Sequence, residues 1–175
     1  LLGARVPNRG MVLLATAPAW GFWRVDLAPA LLWGRYLPQW LGGQPMYPMA
    51  KWVWDRYICN TLPRDISDPF YDTLCAESGT VYRQMVLWHF DPKRQAKVDY
   101  SASDSPVLIV AGGQDKCTTP RVNRLTARKY GARATYVEIP DSDHMVAAGP
   151  AMSHTLDAID RWVDLHGLNV AAPCR

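Results

Sequence analysis

The sequence predicts an α/β fold: an open sheet of parallel strands with flanking helices, interrupted by a helical insertion. Three observations carry that expectation. Short continuous apolar runs bounded by turn residues occur at Met11–Thr16, Pro106–Gly113 and Ala134–Pro140, as expected of strands buried on both faces of a parallel sheet. A stretch with helical start and stop signals follows the second run and one of helical apolar spacing follows the third, which is the rhythm of βαβ crossovers. Aromatic residues crowd into one intervening segment, where seven of the eight tryptophans, all three phenylalanines and six of the eight tyrosines lie between Trp20 and Tyr100.

"MVLLAT" is the first strand. The aromatic segment that follows carries seven of the fourteen prolines and little period-2 alternation, so it reads as short helices broken by proline turns. Its strongest helical piece is "AKWVWDRYICNTL", Ala50 to Leu62. "PVLIVAGG" is the second strand. Thr119 then supplies an N-cap, Pro120 an N1 proline and Gly131 a stop, bracketing the helix "PRVNRLTARKY". After the third strand, "ATYVEIP", the residues Met152, Leu156, Ile159 and Val163 recur at spacings of four, three and four. That stripe predicts a last amphipathic helix laying this face on the sheet. The organisation expected is a core of residues 1–19 and 101–175, with residues 20–100 as a separate helical unit.

Composition excludes several classes. A chain of 175 residues, 49% hydrophobic, is long enough to bury a core. Its formal charge of +3 comes from basic residues scattered along the sequence, which gives no footprint for nucleic acid. No apolar run reaches the roughly 18 to 20 residues of a membrane-spanning helix, and no cationic and apolar leader pattern opens the sequence. The four cysteines, Cys59, Cys75, Cys117 and Cys174, contain no CxxC pair, which argues against a zinc or redox motif and suits a reducing, cytoplasmic setting.

In open α/β sheets the reactive groups sit on loops beyond the carboxyl ends of the strands. Two residues stand there. Asp115 lies two positions beyond Gly113, and His144 lies five beyond Ile139. Sequential parallel strands place both loops on one edge, so the two side chains can meet. A carboxylate that accepts from imidazole Nδ1–H fixes the tautomer and stabilises the imidazolium, leaving Nε2 free to take a proton from a nucleophile. Asp141 and Asp143 compete for the same role because they are closer in sequence, but they share the loop of His144 and would have to fold back onto it. "DSDH" also offers a metal reading through Asp141, Asp143 and His144, but no second histidine or acidic cluster has a defined spacing to it. His89, His154 and His166 fall on helices or their ends and read as structural or exposed. Gly112 and Gly113 lack the G-x-G-x-x-G of a dinucleotide loop.

"SPVLIVAGGQDKCTTP" followed by "YVEIPDSDHMV" resembles the last two strands of an α/β-hydrolase, with the triad acid in "GGQD" and its histidine in "DSDH". By the same resemblance the aromatic segment is the helical cap that many members insert between their sixth and seventh strands, and "LLGARVPNRGMVLLATAPAWGF" is similar to the end of the helix after the nucleophile followed by the sixth strand. The family carries its nucleophile on a G-x-S-x-G elbow. None of Ser67, Ser78, Ser101, Ser103, Ser105, Ser142 and Ser153 has that context. The resemblance therefore implies the C-terminal portion of a longer enzyme, inactive alone, whose serine precedes Leu1; a split protein completed by another chain needs more assumptions. "ESG" at Glu77–Gly79 resembles a cap feature of some bacterial hydrolases and reads equally as a turn between helices.

The function implied is hydrolysis of an ester or related carboxyl derivative through an acyl-enzyme, with His144 as base and then acid and Asp115 as the orienting carboxylate. Trp20 and Phe22, directly after the first strand, and Met145, beside His144, are expected to wall a pocket for a small hydrophobic ester-like substrate. No cofactor or metal is implied, and oligomeric state stays open. Two alternatives keep the fold: a binding protein without a nucleophile, and a dehalogenase or C–C bond hydrolase that differs at the missing elbow.

Overall fold

The computed structural model describes residues 2–22 and 34–169. Within them three strands form one parallel sheet in the order β1 (Met11–Leu14), β2 (Val107–Gly112) and β3 (Ala134–Ile139). The register sets Met11 beside Val107 and Leu14 beside Val110, then Val107 beside Ala134 and Gly112 beside Ile139.

Only β2 has the two-sided burial that continuous apolar runs predict. Its six residues are all buried, because it has a strand on either side and covered faces. Leu108 and Val110 share one face with Val137 and Ile139 and pack with Ala151, Ile159, Trp162 and Val163. Val107, Ile109 and Ala111 point the opposite way by the period-2 rule and are equally inaccessible. β1 departs from the expectation. It alternates, with Val12 and Leu14 about two-fifths exposed (38% and 37%), because the face these two residues share is left partly uncovered among the described residues. β3 is half-buried along most of its length, standing at the other end of the sheet.

The helix after β2 spans Pro120–Tyr130 and packs on β2 and β3. It begins behind Thr119, with Pro120 at N1, and stops at Gly131, whose φ of +64° is the left-handed conformation that glycine reaches without strain. The last helix, Ala151–Leu165, corrects the predicted stripe. Its buried residues are Ala151, Thr155, Ala158 and Trp162. Ile159 and Val163 do pack against the core, but Met152 and Leu156 are nearly half exposed. The contact line is rotated toward small residues because alanine and threonine let a helix axis approach a sheet closely, and hydropathy ranking overlooks them. Thr155 can be buried because its hydroxyl donates to the Val146 carbonyl at 2.5 Å.

Between β1 and β2 the described residues form short helices: α1 (Leu37–Gly42), α2 (Lys51–Val53, continuing as a π-turn Trp54–Ile58), α3 (Arg64–Asp72) and α4 (Gly79–Val86). With these named, the Pro120–Tyr130 helix is α5 and the Ala151–Leu165 helix α6. The helix expected over Ala50–Leu62 ends early, at Ile58, where Cys59 leaves helical geometry (φ −113°, ψ 56°). In the "ESG" stretch, Glu77 exchanges backbone hydrogen bonds with Met46, both 2.8 Å, and Ser78 caps α4. Gly79 lies against the Gln44 carbonyl, 2.1 Å from where a Cβ would stand. Those three residues thus build the entry to a helix.

Candidate functional site

The sheet presents its chemistry beyond the carboxyl ends of β2 and β3. Gly112 and Gly113 let the two following loops touch: a Cβ on Gly112 would meet the Asp143 carbonyl oxygen at 2.0 Å, and one on Gly113 the Pro140 oxygen at 2.6 Å. The close approach is laced by backbone bonds, Gly113 N–H to Ile139 O at 2.7 Å and Gln114 N–H to Ser142 O at 2.8 Å. Neither loop can move alone.

On this platform Asp115 turns its buried carboxylate inward. Oδ1 accepts from the backbone N–H groups of Cys117 and Thr118 at 2.7 and 2.9 Å. Oδ2 accepts from His144 Nδ1 at 2.9 Å and from the Thr118 hydroxyl at 2.9 Å. The Asp115 side chain is fully inaccessible, whereas that of His144 is 27% exposed. Nε2 makes no hydrogen bond among the described residues. With Nδ1–H committed to a carboxylate, a neutral imidazole leaves Nε2 as an available base. Of the competing carboxylates, Asp141 is exposed, and Asp143, although buried, turns away from the ring of its neighbour to accept three backbone N–H groups.

Thr118 extends the pair toward β1. Its hydroxyl oxygen lies 2.9 Å from the Ala15 carbonyl oxygen as well as beside Asp115 and His144. Ala15 ends the strand with φ at +42°, a sparsely populated conformation for a residue with a side chain. Beside it, Asn123 of α5, wholly buried, accepts from Thr16 N–H at 3.0 Å and donates to the Thr118 and Thr119 carbonyls. The end of β1, the start of α5 and the Asp115 loop thereby form one polar unit. Sequence patterning missed Thr118 and Asn123, since a threonine in a loop and an asparagine inside a helix carry no motif.

No protein-family model matches this sequence, and no curated protein matches it. The likeness is to solved structures: a putative non-heme bromoperoxidase from Mycobacterium tuberculosis (17% identity, TM-score 0.57, 90% of this chain and 58% of that one), a monoacylglycerol lipase from Paleococcus ferrophilus (19%, 0.52, 90% and 59%), and a thermophilic esterase (17%, 0.52, 91% and 57%). The chain has the fold of the C-terminal part of an α/β-hydrolase. It spans less than three-fifths of the length of the solved structures it matches.

The expected pocket-wall residues sit in different surroundings within this fold. Met145 packs against a cluster of Trp54, Ile58, Cys59, Leu62 and Ala148, which joins the helical segment to the His144 loop. Trp20 lies under the Arg94 guanidinium, 4.7 Å from the ring centroid, and its N–H bonds the Ala96 carbonyl. Phe22 is buried. Among the described residues, one surface concavity of about 280 Å³ lies along Arg121, Arg124, Leu125 and Arg128, and another of about 410 Å³ between β3 and α6.

Other candidate nucleophiles are accounted for. Burial pushes the Cys117 thiol up to about 12, with the Asp115 carboxylate adding in the same direction, so this neighbour of the pair is not a thiolate near neutrality. Cys59 is raised to about 12 for the same first reason, with Asp143 as the contributing charge. Cys75 is exposed, and Cys174 lies outside the described residues. Among the described residues no serine hydroxyl bonds His144; Ser142, the nearest in sequence, donates to the Asp143 carbonyl. No group of three His, Cys, Asp or Glu side chains among the described residues is placed to hold a metal ion. Of the remaining histidines, His154 is exposed and His166 stacks edge-on against Trp162 at 5.3 Å; the His89 side chain lies outside what is described. No helix among the described residues is long and apolar enough to cross a membrane.

Proposed function

We propose that this chain supplies the histidine and the acid of a Ser-His-Asp triad to a cytoplasmic hydrolase of esters or related carboxyl derivatives, with the serine outside residues 1–175. One observation carries this: Asp115 Oδ2 takes the Nδ1 side of His144 at 2.9 Å, at the carboxyl edge of a parallel sheet, with Nε2 unbonded among the described residues and the imidazole part exposed. His144 then acts as general base toward the serine hydroxyl and as acid toward the leaving alkoxide, while Asp115 holds the tautomer and stabilises the imidazolium. The buried carboxylate is satisfied by two backbone N–H groups and a hydroxyl besides the imidazole, which lets it stay in place through the proton transfers. Residues 20–100 serve as the cap. Met145, with Trp20 and Phe22, walls an apolar acyl site, in keeping with the lipase and esterase among the similar structures. No cofactor takes part in this scheme.

The test is covalent. A fluorophosphonate ester labels an activated serine far faster than an ordinary one, and peptide mapping identifies the labelled residue. In the protein that includes the sequence preceding Leu1, the label should map to a serine outside residues 1–175 and vanish in His144→Ala. Hydrolysis of a p-nitrophenyl ester should fall by about three to four orders of magnitude in Asp115→Asn, through loss of the correct tautomer. The 175-residue chain alone should take no label. Label on a serine within residues 1–175 that disappears in His144→Ala would overturn the assignment.

A further inference from the structure

Among the described residues, 60–62 are where the helical segment reaches both loops of the pair through hydrogen bonds. Asn60 Nδ2 donates to the Gln114 carbonyl, beside Asp115, at 3.1 Å. Thr61 and Leu62 each donate a backbone N–H to Asp143 Oδ2 at 2.8 Å. The other oxygen of that carboxylate, Oδ1, accepts from the Met145 N–H at 3.0 Å, closing a turn around His144 itself. Asp143 is 1% exposed, and among the described residues no cation pairs with it. A buried carboxylate without a counter-ion is tolerated when backbone donors satisfy it, and here the donors come from two separate parts of the chain. Leu62 adds an apolar seat, with its side chain 2.5 Å from where a Cβ on Gly149 would stand.

We infer that Asp143 is a positioning residue that couples the seating of the helical segment to the orientation of His144. One oxygen fixes the turn presenting the imidazole and the other holds residues 61–62, so a displacement of the helical segment pulls on the backbone on either side of His144. The Asn60 bond transmits the same displacement to the Asp115 loop. This inference rests on the triad reading for what His144 does, but the coupling itself is independent of any nucleophile.

Asp143→Asn separates the two halves. A carboxamide has one acceptor oxygen, so it can serve Met145 or residues 61–62 but not both. Hydrogen exchange of the peptide covering residues 59–63 should speed by at least about tenfold, the equivalent of one lost charge-assisted bond, while β2 keeps its protection. In the same variant the downfield His144 Nδ1–H proton resonance should shift and broaden. Freed 61–62 amides with an unchanged imidazole resonance would make Asp143 a local structural residue and sink the coupling; exchange and resonance both unchanged would sink it too. Asn60→Ala leaves the carboxylate in place and serves if Asp143 variants do not fold: it should move the His144 resonance the same way by a smaller amount, and no movement overturns the inference. Asp115→Asn is the separate control. It should abolish the downfield resonance without altering exchange at 59–63; a resonance that survives it overturns the triad reading and leaves the coupling standing.

Discussion

The loops after β2 and β3 and the helical segment from Gly34 to Tyr100 are held by different means, although they meet at residues 60–62. The loops hang from the sheet. Backbone bonds join them at Gly113 and Gln114, and two glycines permit contact tighter than any side chain allows. The helical segment instead consists of helices of three to nine residues, too short to be stable by themselves. It depends on Trp54, Ile58, Cys59 and Leu62 packing around Ala148 and Met145 of the His144 loop. The difference teaches that the loops carrying His144 and Asp115 are fixed by the sheet's own backbone bonds, whereas the seating of the helical segment depends on side-chain packing against one of them.

The sharpest way to break this contrast is to crowd the loop junction. Gly112→Val would drive side-chain atoms into the backbone oxygens of Asp143 and Ser142, which stand 2.0 and 2.6 Å from the Cβ position. Overpacking against backbone should cost about 3 kcal/mol or more, read as loss of a cooperative urea transition. Gly34→Ala, in the helical segment where a Cβ meets nothing within 4 Å among the described residues, should stay within about 0.5 kcal/mol of the parent. Equal effects at the two positions would erase the distinction.

Core truncation comes next. Leu108→Ala, at a fully inaccessible site on β2, should cost about 2–5 kcal/mol through lost transfer energy and a residual cavity. Leu41→Ala in α1, at 60% exposure, should move the midpoint barely at all. Asn123→Ala is smaller than the first: it strands the Thr16 N–H and frees the Thr118 and Thr119 carbonyls. A loss of about 1–3 kcal/mol is expected, with the His144–Asp115 contact loosened, visible as a change in the His144 proton resonance.

The smallest effect belongs to the helical segment. Lys51 bonds Asp55 at 2.5 Å and Asp68 at 2.7 Å, joining α2 to α3 at the surface. The carboxylate partners hold the Lys51 ammonium above its usual value, Asp55 first, and Lys51 holds the Asp68 carboxyl below its own. The Asp68 contribution is present above the ordinary carboxylate range and lost as pH falls through the lowered folded value. The Lys51 contribution is present below the ordinary lysine value and lost as pH rises through the raised one. Both groups are solvent-exposed and screened by salt. Added salt should therefore quicken hydrogen exchange in residues 51–72 slightly while leaving 106–140 unchanged, and a matching change in both regions would show that the segment and the sheet open together.

How much of this was legible beforehand divides along the same line. The three strands, the limits of α5 and the positions of Asp115 and His144 at one sheet edge follow from local signals: continuous apolar runs, Thr119-Pro120 at a helix start, Gly131 at its end. Each of those is a property of a few neighbouring residues, and chain connectivity alone then brings both loops to one side. Tertiary structure decided what depends on neighbours remote in sequence. It chose Ala151, Thr155, Ala158 and Trp162 over Met152 and Leu156 as the buried line of α6, because small residues set how near a helix can come to a sheet. It exposed one face of β1, where apolar character predicted burial on both, because among the described residues too little packs over the face of Val12 and Leu14. And it gave Asp115 to the imidazole and Asp143 to three backbone amides. Two aspartates near one histidine look alike in a sequence; which one meets the ring is settled by the donors that the rest of the fold brings within 3 Å of each carboxylate.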